Sequence, residues 1–212
     1  MSLDTYSDLK TAVTDWLAFD ELVPRVPDFV SLAEANFDRV LRTKDQISRA
    51  TTPVSTQYVS LPTDFLELDN VQINTSPIKR LEQVSLNKAD DLKRVNSTTG
   101  EPRYFSVQGA SLELIPTPST SYTLEIVYYE KLPKLTSSNT TNWLLESHPD
   151  IYLYGALVQA QPFLGHDERL GTWGTLLGKA LEELRVSDER AQTEGGTLVM
   201  RSKNNLDYGD WK

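Results

Sequence analysis

The chain has 212 residues, 39% of them hydrophobic, with a formal net charge of −9, two histidines and no cysteine. The missing cysteines exclude thiol catalysis, Cys-ligated zinc, iron–sulfur clusters and disulfides, and a site built from several histidines is not expected. The blocks 1–44, 45–135 and 136–212 are each acidic, which disfavours tight binding to nucleic acid or to an anionic membrane. No apolar run reaches the roughly 18–20 residues that a membrane span needs.

The first 44 residues are predicted to form two helices. Asp20-Glu21 and two prolines separate them, and Pro27 suits a first helical turn, where its missing N–H costs nothing. The second helix is expected over 27–43. Both have apolar residues at helical spacing, namely Tyr6, Leu9, Val13, Trp16 and Leu17 in the first and Phe29, Ala33, Phe37, Val40 and Leu41 in the second.

The pattern changes to β-strands between residues 45 and 132, where Thr, Val, Ser, Tyr and Pro are frequent. Gln108-Gly109-Ala110 is typical of a tight hairpin turn, and 86–95 is expected to add one short helix. The predicted strands are 47–52, 56–60, 66–73, 78–83, 103–108, 111–115 and 121–130.

A third helix is predicted after Ser147, which is expected to cap it in a Ser-x-x-Asp pattern with Asp150. Residues 151–158 are apolar on nearly every face, so this helix is expected to be central and buried on all sides. A fourth, long helix is predicted from Asp167-Glu168 to about residue 192. Its expected apolar stripe is Leu170, Trp173, Leu177, Ala180, Leu181 and Leu184, with Glu182-Glu183 and Asp188-Glu189 on the solvated side.

This order of elements predicts an α+β fold. Segments 1–44 and 142–193 are expected to form an antiparallel helical bundle of two N-terminal and two C-terminal helices, because they flank a β-rich insertion over 45–135. Residues 194–212 are predicted to be an extended C-terminal tail with a short strand at 197–200.

Three glycines lie on one face of the predicted long helix. Gly174 to Lys179 differs from a phosphate loop, which needs four residues between its glycines and Ser or Thr after the Lys. A glycine inside a helix lowers the stability of the helix by about 1 kcal/mol relative to Ala, so we expect these glycines to be needed for packing. We therefore interpret Gly171, Gly174 and Gly178 as helix-packing positions that admit a close helix, in this chain or in a neighbouring subunit.

The sequence predicts no catalytic, cofactor-binding or metal site. His148 and His166 have no suggested nucleophile, and surface or capping roles are the expected ones. The chain has 30 Asp and Glu residues, and a glycosidase needs only two, so composition does not exclude one. The sequence indicates no apolar pocket that would raise the pKa of one of these carboxyl groups.

The tail has two interpretations that the sequence leaves open. It is a disordered end, as termini commonly are, or a docking peptide, since large aromatic side chains anchor interfaces. The residues assigned to an interface under the second interpretation are Leu198, Val199, Met200, Leu206, Tyr208 and Trp211.

An ordered set of short motifs resembles the head–tail adaptor proteins of tailed bacteriophages, especially short-tailed phages. The set begins in the predicted second helix, 27–42, and covers about residues 5–190. Its other members are Leu61 to Leu68, Gly100 to Phe105 followed by 112–118, Tyr128-Tyr129 with Leu132-Pro133, Asn142 to Leu145 running into 149–156, and Asp167 to Arg169 with Trp173.

The resemblance implies a structural role in the virion neck, with no cofactor and no membrane partner. Such adaptors form a ring, usually of twelve copies, beneath the portal. The ring extends a channel through which DNA passes without specific binding, and it supports tail nozzle or tail-fibre proteins. In related adaptors the C-terminal segment reaches along the portal, which implies a portal contact for residues 197–212.

Two other functions remain open from the sequence. One is a peptidoglycan hydrolase associated with the tail, and the other is an acidic protein-interaction domain of a cellular protein.

The acidic balance of the chain suits the channel that the resemblance implies, because negative walls repel phosphates and would not hold DNA.

Overall fold

The structure is a computed structural model of the chain, and it describes residues 3–95, 98–164 and 169–193. Within these ranges it contains six α-helices and two four-stranded sheets, which confirms the α+β class. The helices are α1 (Tyr6–Leu17), α2 (Val26–Val40), α3 (Leu86–Val95), α4 (Trp143–Ser147), α5 (Pro149–Ala160) and α6 (Arg169–Thr193).

Local signals set the first two helices. Thr5 and Asp8 form a capping box at the start of α1, which satisfies two backbone N–H groups that have no partner inside the helix. The helix ends at Ala18, which has a left-handed backbone with φ of 57°. Pro27 lies in the first turn of α2, as predicted, and α2 ends at Val40, three residues earlier than expected.

The centre of the helical part is α5. It packs against α1, α2, α4 and α6, and its residues Ile151, Tyr152, Leu153, Gly155, Ala156, Leu157 and Ala160 are buried. The prediction of a helix buried on all sides is therefore confirmed. Phe37 of α2 packs edge-on against Tyr152 near the start of α5, and Phe29 packs on Phe163 just after its end. These pairs show that α2 and α5 run in opposite directions.

Two features of this region differ from the prediction. Ser147 does not cap α5, because it is the last residue of the short helix α4, which we did not predict. His148 is the residue that precedes α5, and Asn142 caps α4 by accepting a hydrogen bond from the Leu145 N–H. Along α6, Trp173, Leu177, Ala180 and Leu184 are buried as expected, and Leu181 is half-buried.

The first sheet contains β1 (Ile47–Val54), β8 (Tyr122–Glu130), β3 (Phe65–Ile73) and β4 (Lys79–Arg80), in that spatial order. The second contains β2 (Tyr58–Ser60), β7 (Ser111–Ile115), β6 (Tyr104–Gln108) and β5 (Glu82–Gln83). Only the β5–β6 pair is parallel among these strands. Gly109 makes the β6–β7 turn with φ of +60°, where a glycine is favoured.

The two sheets contribute to one apolar cluster, and the helices form another. The sheet cluster contains Val71, Ile73, Leu124 and Ile126 from the first sheet and Phe105, Leu112 and Leu114 from the second. On the other face of the second sheet lies α3, whose Ala89 is fully buried. The helical cluster also includes Leu132 and Leu135, from the segment that returns from β8 to the helices.

Candidate interaction surface

Two open grooves lie on the described surface. One, of about 190 Å³, lies between the end of α2 and α6, and its charged side chains Arg42 and Arg185 are paired with Glu67 and Glu182 at 2.6 and 2.7 Å. The other, of about 350 Å³, lies beside Gly100, and its Glu101 is paired with Lys79 at 2.6 Å. The carboxylates of both grooves are thus held as ion-pair partners.

Buried carboxylates fasten parts of the chain that are distant in sequence. Glu34 of α2 is 2% exposed, and its Oε1 accepts hydrogen bonds from the Leu135 N–H at 2.7 Å and from the Tyr152 hydroxyl at 3.3 Å. Burial raises the pKa of Glu34, and the bond from Leu135 partly offsets that rise. One turn further along α2, Asp38 accepts the Leu132 N–H at 2.9 Å. Two carboxylates of one helix therefore hold the returning segment.

Asn142 extends this hydrogen-bonded group. Its Nδ2 donates to the Tyr152 hydroxyl and to the Pro133 carbonyl, both at 2.7 Å, while its Oδ1 caps α4. Burial raises the pKa of Tyr152, so this phenol stays protonated and can donate to Glu34. This group has a structural role, because its side chains bond to one another and to the backbone of the surrounding segments.

Glu113 of β7 is fully buried and bonds β7 to α3 and to the residue before β2. Its Oε1 accepts from Gln57 at 2.6 Å and from Lys93 at 2.8 Å, and its Oε2 accepts from Gln108 at 2.6 Å. Hydrogen bonds to Asp90 and Glu113 raise the pKa of Lys93, which therefore stays charged. Glu113 and Lys93 thus form an ion pair that fastens α3 to the second sheet.

Asp188 corrects one prediction from the sequence. We expected it on the solvated side of α6, but it is 7% exposed, and its Oδ1 accepts the Lys44 N–H at 2.8 Å. Glu182, Glu183 and Glu189 are exposed, as predicted. Asp188 thus attaches the last turns of α6 to the segment that enters β1.

The three glycines of α6 are exposed and leave open space. A Cβ added at Gly171, Gly174 or Gly178 would meet no heavy atom within 4 Å. No described helix of this chain therefore packs against these positions, and their assignment as helix-packing residues stays a prediction for a neighbouring subunit. Gly155 of α5 is different, because its Cβ would lie 2.6 Å from Phe37 Cζ. Gly155 is not among the residues predicted from the sequence, although its place inside a wholly apolar helix was a signal.

Several predicted positions lie outside the described residues. They are His166 and the tail residues Leu198, Val199, Met200, Leu206, Tyr208 and Trp211. Among the described residues, no group of three or more potential metal ligands was found, and no helix has the length and apolarity to cross a membrane.

A family model matches most of the chain. No curated protein matches the chain. The family model of the SU10 adaptor protein matches residues 4–201, a range that contains all the described helices and strands. This match confirms the resemblance to phage head–tail adaptors that the sequence motifs indicated. The chain therefore belongs to the SU10 adaptor protein family.

Proposed function

We propose that this protein is a structural component of the phage neck that forms a ring beneath the portal. The family match over residues 4–201 is the observation that carries the proposal. The ring would extend the channel for DNA and provide the platform for tail nozzle or tail-fibre proteins. A net charge of −9 supports passage of DNA without retention, since acidic surfaces repel phosphates.

The proposed role needs surfaces rather than a reaction centre. Glu34, Glu113 and Asp188 each accept hydrogen bonds that fasten one part of the fold to another, and the carboxylates of the two grooves are ion-paired. These contacts support a non-enzymatic role, because they commit the carboxylates to structural bonds.

Two interfaces are proposed. The exposed face of Gly171, Gly174 and Gly178 is the proposed contact with a neighbouring copy, since it allows close helix approach. Residues 197–212 are the proposed portal contact, with Leu198, Val199, Met200, Leu206, Tyr208 and Trp211 as its apolar anchors.

Co-expression with the portal protein of the same phage tests this function. Native mass spectrometry and cryo-electron microscopy should find several copies of the chain in a closed ring on the portal. The resemblance to phage adaptors implies about twelve copies. A full-length chain that remains monomeric and never joins the portal would refute the proposal. A free monomer without portal would not, because the partner surface is then missing.

The tail has its own experiment. Deletion of residues 197–212 should leave the circular dichroism spectrum of the helices and sheets in place and weaken attachment to the portal. Unchanged portal binding by the shortened chain would remove the tail from the proposed interface.

A further inference from the structure

The first sheet leaves one long edge open. Of the four edge strands, β2 has three residues and β4 and β5 have two each, whereas β1 has eight. Within the described ranges, the backbone hydrogen bonds of β1 as a strand go to β8, and no other described backbone group pairs with its outer edge. A long open edge exposes N–H and C=O groups that readily accept another strand.

Charged residues and prolines usually protect an exposed edge from pairing with another strand, and β1 has few of them. Its single charged residue, Arg49, is bonded across the sheet to Glu125 at 2.7 Å. Pro53 lacks an N–H but stands only one residue before the end of the strand. The side chain of Ala50 packs at the margin of the sheet cluster and is only half-buried. Apolar side chains of an added strand would extend that cluster.

The end of α6 lies near the start of this edge. Asp188 Oδ1 is 2.8 Å from the backbone nitrogen of Lys44, and β1 begins at Ile47. From Asp188 to Thr193 the helix advances by about 7.5 Å, at 1.5 Å per residue. Four further residues in extended form span about 13 Å, so residue 197 can reach β1 of its own chain.

The sequence supplies a suitable strand at that distance. Residues 197–200 read Thr-Leu-Val-Met, follow Gly195-Gly196 and precede Arg201. Thr, Val and the apolar neighbours favour a strand, and the two glycines permit a change of direction. Four residues span about 13 Å, which fits along an edge of eight residues.

We propose that in the unassembled protein residues 197–200 add to the open edge of β1 in the same chain. Attachment to the same chain is favoured over exchange between copies, because a short linker gives the segment an effective concentration of about millimolar or above. The segment covers the edge before assembly, and its removal would expose both β1 and the strand itself for contacts in the ring.

Hydrogen exchange of the free, full-length protein tests this pairing. Val199→Pro removes a backbone donor and disfavours a paired strand, so the outward-facing amides of residues 47–54 should exchange at least about tenfold faster than in wild type. Leu206→Pro is the matched control and should leave these amides protected as in wild type. Both substitutions lie beyond every residue of the two apolar clusters, so loss of the fold is not expected.

Two results would overturn the inference. One is equal exchange of residues 47–54 in wild type and Val199→Pro. The other is protection that falls as the protein is diluted, since that would mean exchange of strands between copies. The experiment uses no portal, so its failure is distinguishable from failure of the proposed neck function.

Discussion

At the scale of single residues, Gly155 is required by a close contact. A Cβ there would lie 2.6 Å from Phe37 Cζ and 3.1 Å from Cε1, and Phe37 is fully buried against Tyr152. We expect Gly155→Ala to lower the free energy of unfolding by about 1–3 kcal/mol, because the ring must move in a packed core. Urea denaturation followed by circular dichroism measures this change.

Gly178→Ala is the matched control, since it makes the same substitution in a helix with open space around it. Alanine favours helix over glycine by about 1 kcal/mol, so this variant should be slightly more stable than wild type. Equal effects at the two positions would contradict the contact between Gly155 and Phe37.

Glu34 is expected to make stability depend on pH. Burial raises its pKa in the folded state, so its favourable contribution is complete below the unfolded value of about 4.3 and is lost as pH rises through the folded pKa. Glu34→Gln keeps an oxygen acceptor and cannot ionise. The free energy of unfolding of the variant, relative to wild type, should therefore increase as pH rises from about 4 to 7.

The control at this position is Glu34→Ala, which removes the acceptor of the Leu135 N–H. It should be destabilised by about 1–3 kcal/mol at every pH, because that donor is left buried without a partner. Urea midpoints measured in a pH series compare the three proteins. A constant difference between Glu34→Gln and wild type would show that the carboxyl does not titrate with a raised pKa.

At the scale of elements, Asp188 ties α6 to the segment before β1. Asp188→Ala leaves the Lys44 N–H without this acceptor and should cost about 1–3 kcal/mol of stability. Glu183→Ala, on the exposed side of the same helix, is the control and should leave the urea midpoint almost unchanged, since its pair with Lys179 at 3.7 Å is solvated. Similar midpoints for both variants would disprove the difference between the two sides of α6.

Periodicity and turn residues made most elements predictable from the sequence. The apolar run 151–158 predicted the buried helix α5, and the alternation along 121–130 predicted β8, which is the nine-residue strand between β1 and β3. These patterns work because burial on one face or on all faces is a local property of the sequence.

The contacts that join the elements were not predictable in the same way. Ser147 met the rule for a cap, but α4 occupies that position and Asn142 caps it instead. Glu34 bonds to Leu135, 101 residues away, and Asp188 bonds to Lys44, 144 residues away. No local signal separates such a buried carboxylate from a solvated one, because its partner is brought to it only by the complete fold.

At the scale of the whole molecule, a substitution on the glycine face of α6 is expected to affect ring assembly without loss of the fold. In the single chain, Gly174 has no heavy atom within 4 Å of an added Cβ, so Gly174→Gln should fold normally. Glutamine also favours helix over glycine by roughly 0.5–1 kcal/mol, and the melting temperature should rise slightly. If a helix of a neighbouring copy packs on this face in the proposed ring, the long side chain should block its approach.

We therefore expect Gly174→Gln to be a stable monomer that forms incomplete rings on the portal or none. Native mass spectrometry of the co-expressed complex counts the copies, and circular dichroism confirms the fold. Glu183→Gln places the same side chain on another exposed position of α6, and it should assemble as wild type does. A complete ring built from Gly174→Gln would move the contact between copies to another surface. The combination of a stable chain and a failed ring would instead explain why three helix-weakening glycines stand on one open face.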